Sequence, residues 1–514
     1  CANQLPALTY EFRCAFIHAL PMSNRLFKPT SNKTHEAIHF PHDHADGVFL
    51  ACQQLYSRKS GTRVRTRQRP TEKTQYCPAT STPSRYSLLT GSYAFRGGAD
   101  ILPGDAAMLI KPEMQTLPSM LQEAGYETAV IGKWHLGLGD GEVDWNKAIK
   151  PGPLEVGFDY SYLIPSTGDR VPCVWMENHH VVDLDEEDPI QISYDEKVGN
   201  EPTGLSRPEL LKMGADEQHS KTIINGVSRI GYMAGGHTAR WSDELIPYRM
   251  LWKTREFIDE NKADPFFVYF SFHDIHVPRM PNQKFVGKSK MGPRGDAIAQ
   301  VDWVTGQVMK KLEKIGEKDN TLVIFTSDNG PVLDDGYDDQ AEERLGKHEP
   351  AGPFRGAKYS AYEAGTRVPT IVSWPEVIEP GTSDALFTQV DLLASIAELT
   401  GAPLQEDQAP DSYNTLPALL GKSEKGRETM VEESWTLSLR QGKWKYIHPG
   451  EEPAWIWDVK RIEGGGSQEP QLYNLKKDPG ESNNVAGEHP EKVREMRAMQ
   501  LFAARTKARI IQPF

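Results

Sequence analysis

Ser81-Thr82-Pro83-Ser84-Arg85, continuing through Leu88 to Thr90-Gly91, decides how this chain is read. Proline is tolerated in the first turn of a helix, because the amide it lacks has no intrahelical partner there. A helix that starts here puts Ser81 at its positive end, where unpaired N–H groups favour an anion. A plain serine hydroxyl is a weak nucleophile near neutral pH. Ser81 therefore needs an adjacent base or conversion to a more reactive group.

Working outward, four further segments place polar residues beside apolar or extended runs. Gly125-Tyr126-Glu127-Thr128 leads to Gly132-Lys133-Trp134-His135-Leu136-Gly137. Residues two apart in an extended chain point the same way, which puts Lys133 and His135 on one side. The apolar run Pro265-Phe266-Phe267-Val268-Tyr269-Phe270 ends in Ser271-Phe272-His273-Asp274-Ile275-His276-Val277-Pro278. Thr321-Leu322-Val323-Ile324-Phe325-Thr326 ends in Ser327-Asp328-Asn329-Gly330. Gly356-Ala357-Lys358 leads into Glu363-Ala364-Gly365-Thr366-Arg367-Val368-Pro369. Polar clusters that follow separate apolar runs collect at the carboxyl edge of a parallel sheet, the edge where open α/β sheets bind ligands.

These segments, in this order, resemble the formylglycine-dependent sulfatases of the arylsulfatase-like, serine type, within the alkaline phosphatase-like superfamily. The resemblance covers roughly residues 77 to 514. It implies a sulfuric ester hydrolase built on a mixed α/β sheet flanked by helices, with a smaller C-terminal α+β subdomain. It also implies that a maturation enzyme oxidises Ser81 to formylglycine, whose hydrate attacks the sulfur of a sulfate ester. By the same resemblance Arg85 and Lys133 hold the hydrate and His135 is the base for sulfate expulsion. His276 and Lys358 contact the sulfate, and one of the two protonates the leaving alcohol. Asp328 and Asn329 bind Ca2+, an ion that takes hard oxygen ligands. The family's calcium site is completed by an Asp-Asp pair that ends an apolar strand a few dozen residues before the nucleophile. No such pair precedes Ser81; Asp43 and Asp46 stand at about that distance without the strand.

The leaving alcohol is expected to be a sulfated sugar, because Asp169, Arg170 and His219 offer polar contacts to hydroxyls in the section the family uses for recognition. Two rival functions share the motifs: a phosphate or phosphonate monoester hydrolase of the superfamily, and an inactive glycan-binding relative. Asp334-Asp335-Gly336-Tyr337-Asp338-Asp339 reads as a solvated insertion, since its acidic spacing lacks the EF-hand pattern. A formal charge of -13 argues against a nucleic-acid partner. Arg85, Lys133 and Lys358 would make a local cationic pocket for an anionic ester.

Chain length and composition fit a large enzyme: 514 residues, 38% apolar and 9% aromatic. No run of eighteen apolar residues suggests a membrane span, and no signal peptide is recognisable. The family resemblance implies a periplasmic or extracellular location. A start at Cys1 fits a fragment, a processed form or a mature lipoprotein. The first 77 residues differ in texture, with four of the five cysteines and eleven Lys or Arg against five Asp or Glu. The alternating Arg63, Arg65, Arg67 and Arg69 read as a basic strand, a solvated tail or a nucleic-acid patch. Because composition, motif and strand all fail together, the reading adopted for residues 1–76 is a shifted frame or misassigned start that supplies no core strand.

The catalytic domain is expected over 77–424 and the C-terminal subdomain over 425–514. Helical apolar spacing marks 117–124, 249–262, 296–314 and 390–399. Short strands are expected within 438–447 and 471–475, followed by a closing helix from about Pro490.

Overall fold

The computed structural model describes residues 12–18, 71–405 and 407–505. A ten-stranded mixed sheet forms its centre, in the order Thr382–Ser383, Thr71–Tyr76, Arg367–Ser373, Thr321–Ser327, Phe12–His18, Phe266–Ser271, Glu127–Lys133, Tyr160–Ile164, Met176–Glu177 and His180–Val181. The apolar runs read from the sequence form its middle, and Phe266–Ser271 is buried throughout. It runs parallel to Glu127–Lys133, which runs parallel to Tyr160–Ile164.

Two groups of helices cover this sheet. Ile246–Glu260 packs against Gly292–Ile315, and Leu117–Glu123 packs against Leu392–Thr400 and Ser81–Thr90. Leu117–Glu123 begins with a capping box, in which Thr116 accepts from the Ser119 amide and Ser119 accepts from the Thr116 amide. Each helix lies within a few residues of the span its apolar spacing predicts.

Residues 1–76 depart from expectation. Phe12–His18 lies in the middle of the sheet, antiparallel to Phe266–Ser271 on one side and to Thr321–Ser327 on the other. Thr71–Tyr76 pairs with Arg367–Ser373. The segment thus supplies two sheet strands, because an open slot between two core strands leaves backbone donors and acceptors that a strand of either direction satisfies. Its polarity matters for the site: Phe12 pairs with Ser327, while His18 pairs with Thr321 at the opposite edge. The chain therefore leaves this strand on the side away from Asp328. Asp43, Asp46 and the arginine run lie outside the described residues.

A second, four-stranded antiparallel sheet comprises Thr429–Glu433, Leu437–Gln441, Trp444–Ile447 and Gln471–Asn474, with the helix Pro490–Arg505 against it. It joins the main sheet through a buried charge cluster. Lys445 meets Glu363 at 3.2 Å, Glu432 at 3.0 Å and Glu481 at 3.4 Å. Burial opposes the charge on Glu363, but Lys445, Arg440 and Arg367 outweigh it and hold the carboxyl at about 2. Glu481, where burial dominates, is pushed up to about 8.

Glu433 is the clearest pH-sensitive element of this sheet. Burial pushes its carboxyl up to about 8, against hydrogen bonds from the Phe95 and Ala94 amides. In the unfolded chain it ionises near the ordinary value of 4.5, so between these limits the folded state binds the extra proton. Its contribution is complete at low pH and is lost as pH rises from about 4.5 to about 8. Glu433→Gln is expected to flatten that decline, read as melting temperature against pH over the same window. An unchanged slope would contradict the assignment.

Candidate active site

The expected residues converge on the edge of the sheet where the parallel strands end. Ser81 opens the helix Ser81–Thr90, every residue of which is buried, and Thr80 before it is extended. Lys133 ends its strand, and His135 follows at φ 55°, in the left-handed region. Gly132 allows the crowding behind them. It has φ 113°, and a Cβ there would stand 2.1 Å from the Ser271 carbonyl oxygen.

Around Ser81 the contacts are direct. Lys133 Nζ donates to Ser81 Oγ at 3.0 Å, and Ser81 Oγ lies 3.4 Å from Asn329 Oδ1. Asn329 Nδ2 donates to the Gly330 carbonyl at 2.9 Å, which fixes the amide so that its oxygen faces Ser81. Arg85 binds the Lys133 carbonyl at 2.6 Å, the Ser271 hydroxyl, and Asp328 Oδ2 at 3.0 Å. That ion pair is enclosed, with Arg85 1% and Asp328 0% exposed. Thr82 Oγ1 donates to the His135 carbonyl at 2.9 Å, tying the helix start to the Lys133–His135 segment.

His135 Nε2 lies 3.0 Å from the Leu102 carbonyl and donates to it, so Nδ1 carries the lone pair. Burial, then the charges of Lys133, Arg170 and Arg85, hold its pKa well below the usual histidine value. It is a neutral base at physiological pH. His276 donates from Nδ1 to the Val277 carbonyl at 2.7 Å, leaving Nε2 3.5 Å from Lys358 Nζ.

Asp169, Arg170 and His219 lie on the wall of a cavity of about 470 Å3 that Ser81, His135, His276 and Lys358 also line. Asp169 contacts Arg170 at 3.1 Å and His219 Nε2 at 3.5 Å, and His219 Nδ1 bonds Asp216 at 2.6 Å. Burial works against the charge on His219, but its bonds to Asp169 and Asp216 outweigh burial and raise its pKa. Burial also opposes the charge on Asp169, yet Arg170, His276 and His219 keep it well below the usual carboxylate range. Asp169, Arg170 and His219 thus form one charged cluster facing the same space as Ser81.

The acidic stretch 334–339 is a solvated insertion only in part: Asp334 and Asp338 are exposed, whereas Asp335 and Asp339 fold inward. Asp335 is buried and accepts from Lys358 at 2.9 Å and from Lys460 at 2.9 Å. Tyr337 is buried and donates to the Ser228 carbonyl, and Asp339 pairs with Arg279. These carboxylates fold inward because each meets a buried cation that requires a partner. Sequence reasoning also missed Tyr194, Tyr359, Trp455 and Lys460, which line the cavity. Lys460 comes from a segment beyond the main sheet, and no local pattern signals that it turns inward.

Residues 65–402 match the sulfatase family model, well over half the chain. The chain belongs to the sulfatase family. It is 52% identical over 422 residues to an N-acetylgalactosamine-6-O-sulfatase of Bacteroides thetaiotaomicron, covering 81% of this chain and 82% of the relative. Human arylsulfatase A is 29% identical over 450 residues, covering 84% and 79%. A solved Bacteroides thetaiotaomicron 6S-sulfatase, described in work on the metabolism of multiple glycosaminoglycans, superposes with a TM-score of 0.84 at 49% identity. That match covers 85% of this chain and 92% of the other. A Pseudoalteromonas sulfatase at 22% identity and TM-score 0.62, covering 87% and 85%, shares the fold. This sulfatase therefore has the alkaline phosphatase-like fold and is a hydrolase. Among the described residues no helix is long and apolar enough to cross a membrane.

Proposed function

We propose that this sulfatase removes the 6-O-sulfate from N-acetylgalactosamine in a sulfated glycan, using formylglycine made from Ser81 by a maturation enzyme. The observation that carries the reading is Ser81 at a buried helix start, met by Lys133 at 3.0 Å and facing Asn329, in a chain 52% identical to a sulfatase of that specificity.

Formylglycine supplies a hydrated aldehyde with one hydroxyl to attack sulfur and a second whose deprotonation later expels the sulfate. The residues around it have separable tasks. Lys133 and Arg85 place positive charge beside the nucleophilic oxygen and favour its anionic form. His135, neutral and oriented by the Leu102 carbonyl, is suited to take up the proton at Nδ1 during expulsion. Lys358 and His276 stand side by side and are suited to bind the sulfate oxygens. As the S–O bond breaks, the electron pair stays with the leaving oxygen, which takes its proton from this pair. Asp169, Arg170 and His219 are suited to the sugar hydroxyls.

Asp328 Oδ and Asn329 Oδ1 are hard oxygen donors beside Ser81, a set that suits Ca2+ and would hold it against the sulfate oxygens as a Lewis acid. They are part of a site, since calcium takes about six to eight oxygens. Among the described residues no group of three or more His, Cys, Asp or Glu gathers there. Asp43 and Asp46 remain the proposed further donors.

The test is release of sulfate from N-acetylgalactosamine 6-sulfate, with the 4-sulfate and the 6-phosphate as comparisons. The protein must come from a host that converts serine-type sites, with conversion at Ser81 verified by peptide mass. Preferred turnover of the 6-sulfate is expected. Preferred turnover of the phosphate would replace the reading with the phosphomonoesterase one, and absence of all turnover by converted, calcium-supplied protein would leave a glycan-binding protein.

A further inference from the structure

The cavity has an outer wall that the reaction does not use. Three of the residues 454–460 of the C-terminal part form it: Trp455 and Val459 line the cavity beside Lys460, and none of the three is assigned a task in the reaction. Trp455 and Val459 are one helical turn apart and share a face of the short helix Ala454–Asp458 and its cap. Trp455 is 39% exposed and Val459 57%, and Trp457 between them is 53% exposed. Few large apolar side chains among the described residues are so exposed, and three of them fall within these five positions. Exposed apolar groups concentrated at the rim of a binding pocket mark a contact surface.

The tryptophan is also held in place. Its ring stands edge-on to Tyr359, with centroids 5.0 Å apart and planes at 83°. Tyr359 donates to Asp335 at 3.1 Å, and Asp335 binds both Lys358 and Lys460. Lys358 carries the charge proposed to meet the sulfate. The indole is therefore braced against the same side chains that define the inner end of the cavity, yet it leaves surface open to solvent.

We infer that Trp455, with Val459 beside it, is a second sugar subsite that takes the pyranose next to the sulfated residue in the glycan chain. The C–H bonds on one face of a pyranose are weakly positive and pack against the negative face of an indole. Ser81, Asp169, His219 and Trp455 all line this one cavity, so a sugar linked to the one at Asp169 and His219 would meet this wall. The inference rests on the sulfated-glycan reading above and adds chain-length selectivity to it.

Protein made without the maturation enzyme keeps Ser81 as serine and allows binding to be read without turnover. Calorimetry would compare N-acetylgalactosamine 6-sulfate with a glycosaminoglycan tetrasaccharide that ends in the same sugar. The tetrasaccharide is expected to bind about tenfold more tightly. Trp455→Ala should erase that gain while leaving monosaccharide affinity within about twofold, and Trp455→Phe should retain most of it. Equal weakening of both ligands by Trp455→Ala would show a bracing role through Tyr359 and overturn the subsite. So would an undiminished gain in the variant, or monosaccharide binding with no gain in the wild type. Failure of the wild type to bind either sugar would instead overturn the glycan reading itself, and the subsite with it.

Discussion

Ser81→Ala is expected to reduce sulfate release to background, a loss of at least about 10⁴-fold, even in a host that performs the conversion. The alanine has no hydroxyl-bearing carbon to oxidise to the aldehyde, and it removes the atom on which the local contacts converge: Lys133 Nζ donates to Ser81 Oγ, and Asn329 Oδ1 faces the same atom. The helix Ser81–Thr90 is buried along its whole length, and loss of one oxygen at its start removes no packing. The variant should therefore lose only about 1–3 kcal/mol, the cost of taking an acceptor from buried Lys133. Activity and melting measured on one preparation separate the two effects. Turnover equal to that of the converted parent would remove Ser81 from the mechanism.

Asp328→Ala is expected to cost both activity and about 3–5 kcal/mol of stability. Arg85 and Asp328 are paired at 3.0 Å with almost no exposure, and a guanidinium left in that interior keeps its bonds to the Lys133 carbonyl and Ser271 hydroxyl but loses the carboxylate's opposing charge. Asn329→Ala, which removes a neutral amide, should cost about 1–2 kcal/mol while still damaging activity. Denaturant unfolding of the pair gives the comparison. If Asp328→Ala were no less stable than Asn329→Ala, the buried ion pair would not be the main role of Asp328 in the folded chain.

Much of the architecture was legible because its strongest signals are local. Phe266–Ser271 and Thr321–Ser327 are buried runs of apolar and β-branched residues, and each is followed at once by the polar residues it delivers. His276, Asp328 and Lys133 could be placed at one edge without any distance information, because parallel strands put their carboxyl ends together. Tyr160–Ile164 was not anticipated. It lies inside a section dense in glycine, proline and charge, and five residues give too short a pattern to stand out. The acidic stretch was misread for a related reason: Asp335 and Asp339 look solvated until Lys358, Lys460 and Arg279 arrive from elsewhere in the chain. Phe12–His18 was set aside with the rest of residues 1–76 because composition, motif and strand failed together, yet pairing in a sheet depends on backbone groups that such signals do not report.

The Lys445 cluster sets the terms on which this chain can be recombined with its relatives. Glu363 belongs to the segment that follows Lys358, while Lys445, Glu432 and Glu481 come from the C-terminal ninety residues. A chimera that joins the first part to a foreign C-terminal part inherits Glu363 together with Arg367, and it needs a replacement for Lys445 at a position with no access to water. Residues 140–245 are tied to the rest of the fold as well, since His276 helps to hold the charge on Asp169 and Tyr337 donates to the Ser228 carbonyl. The wall that carries Trp455 likewise travels with its electrostatic anchor, Asp335 held between Lys358 and Lys460.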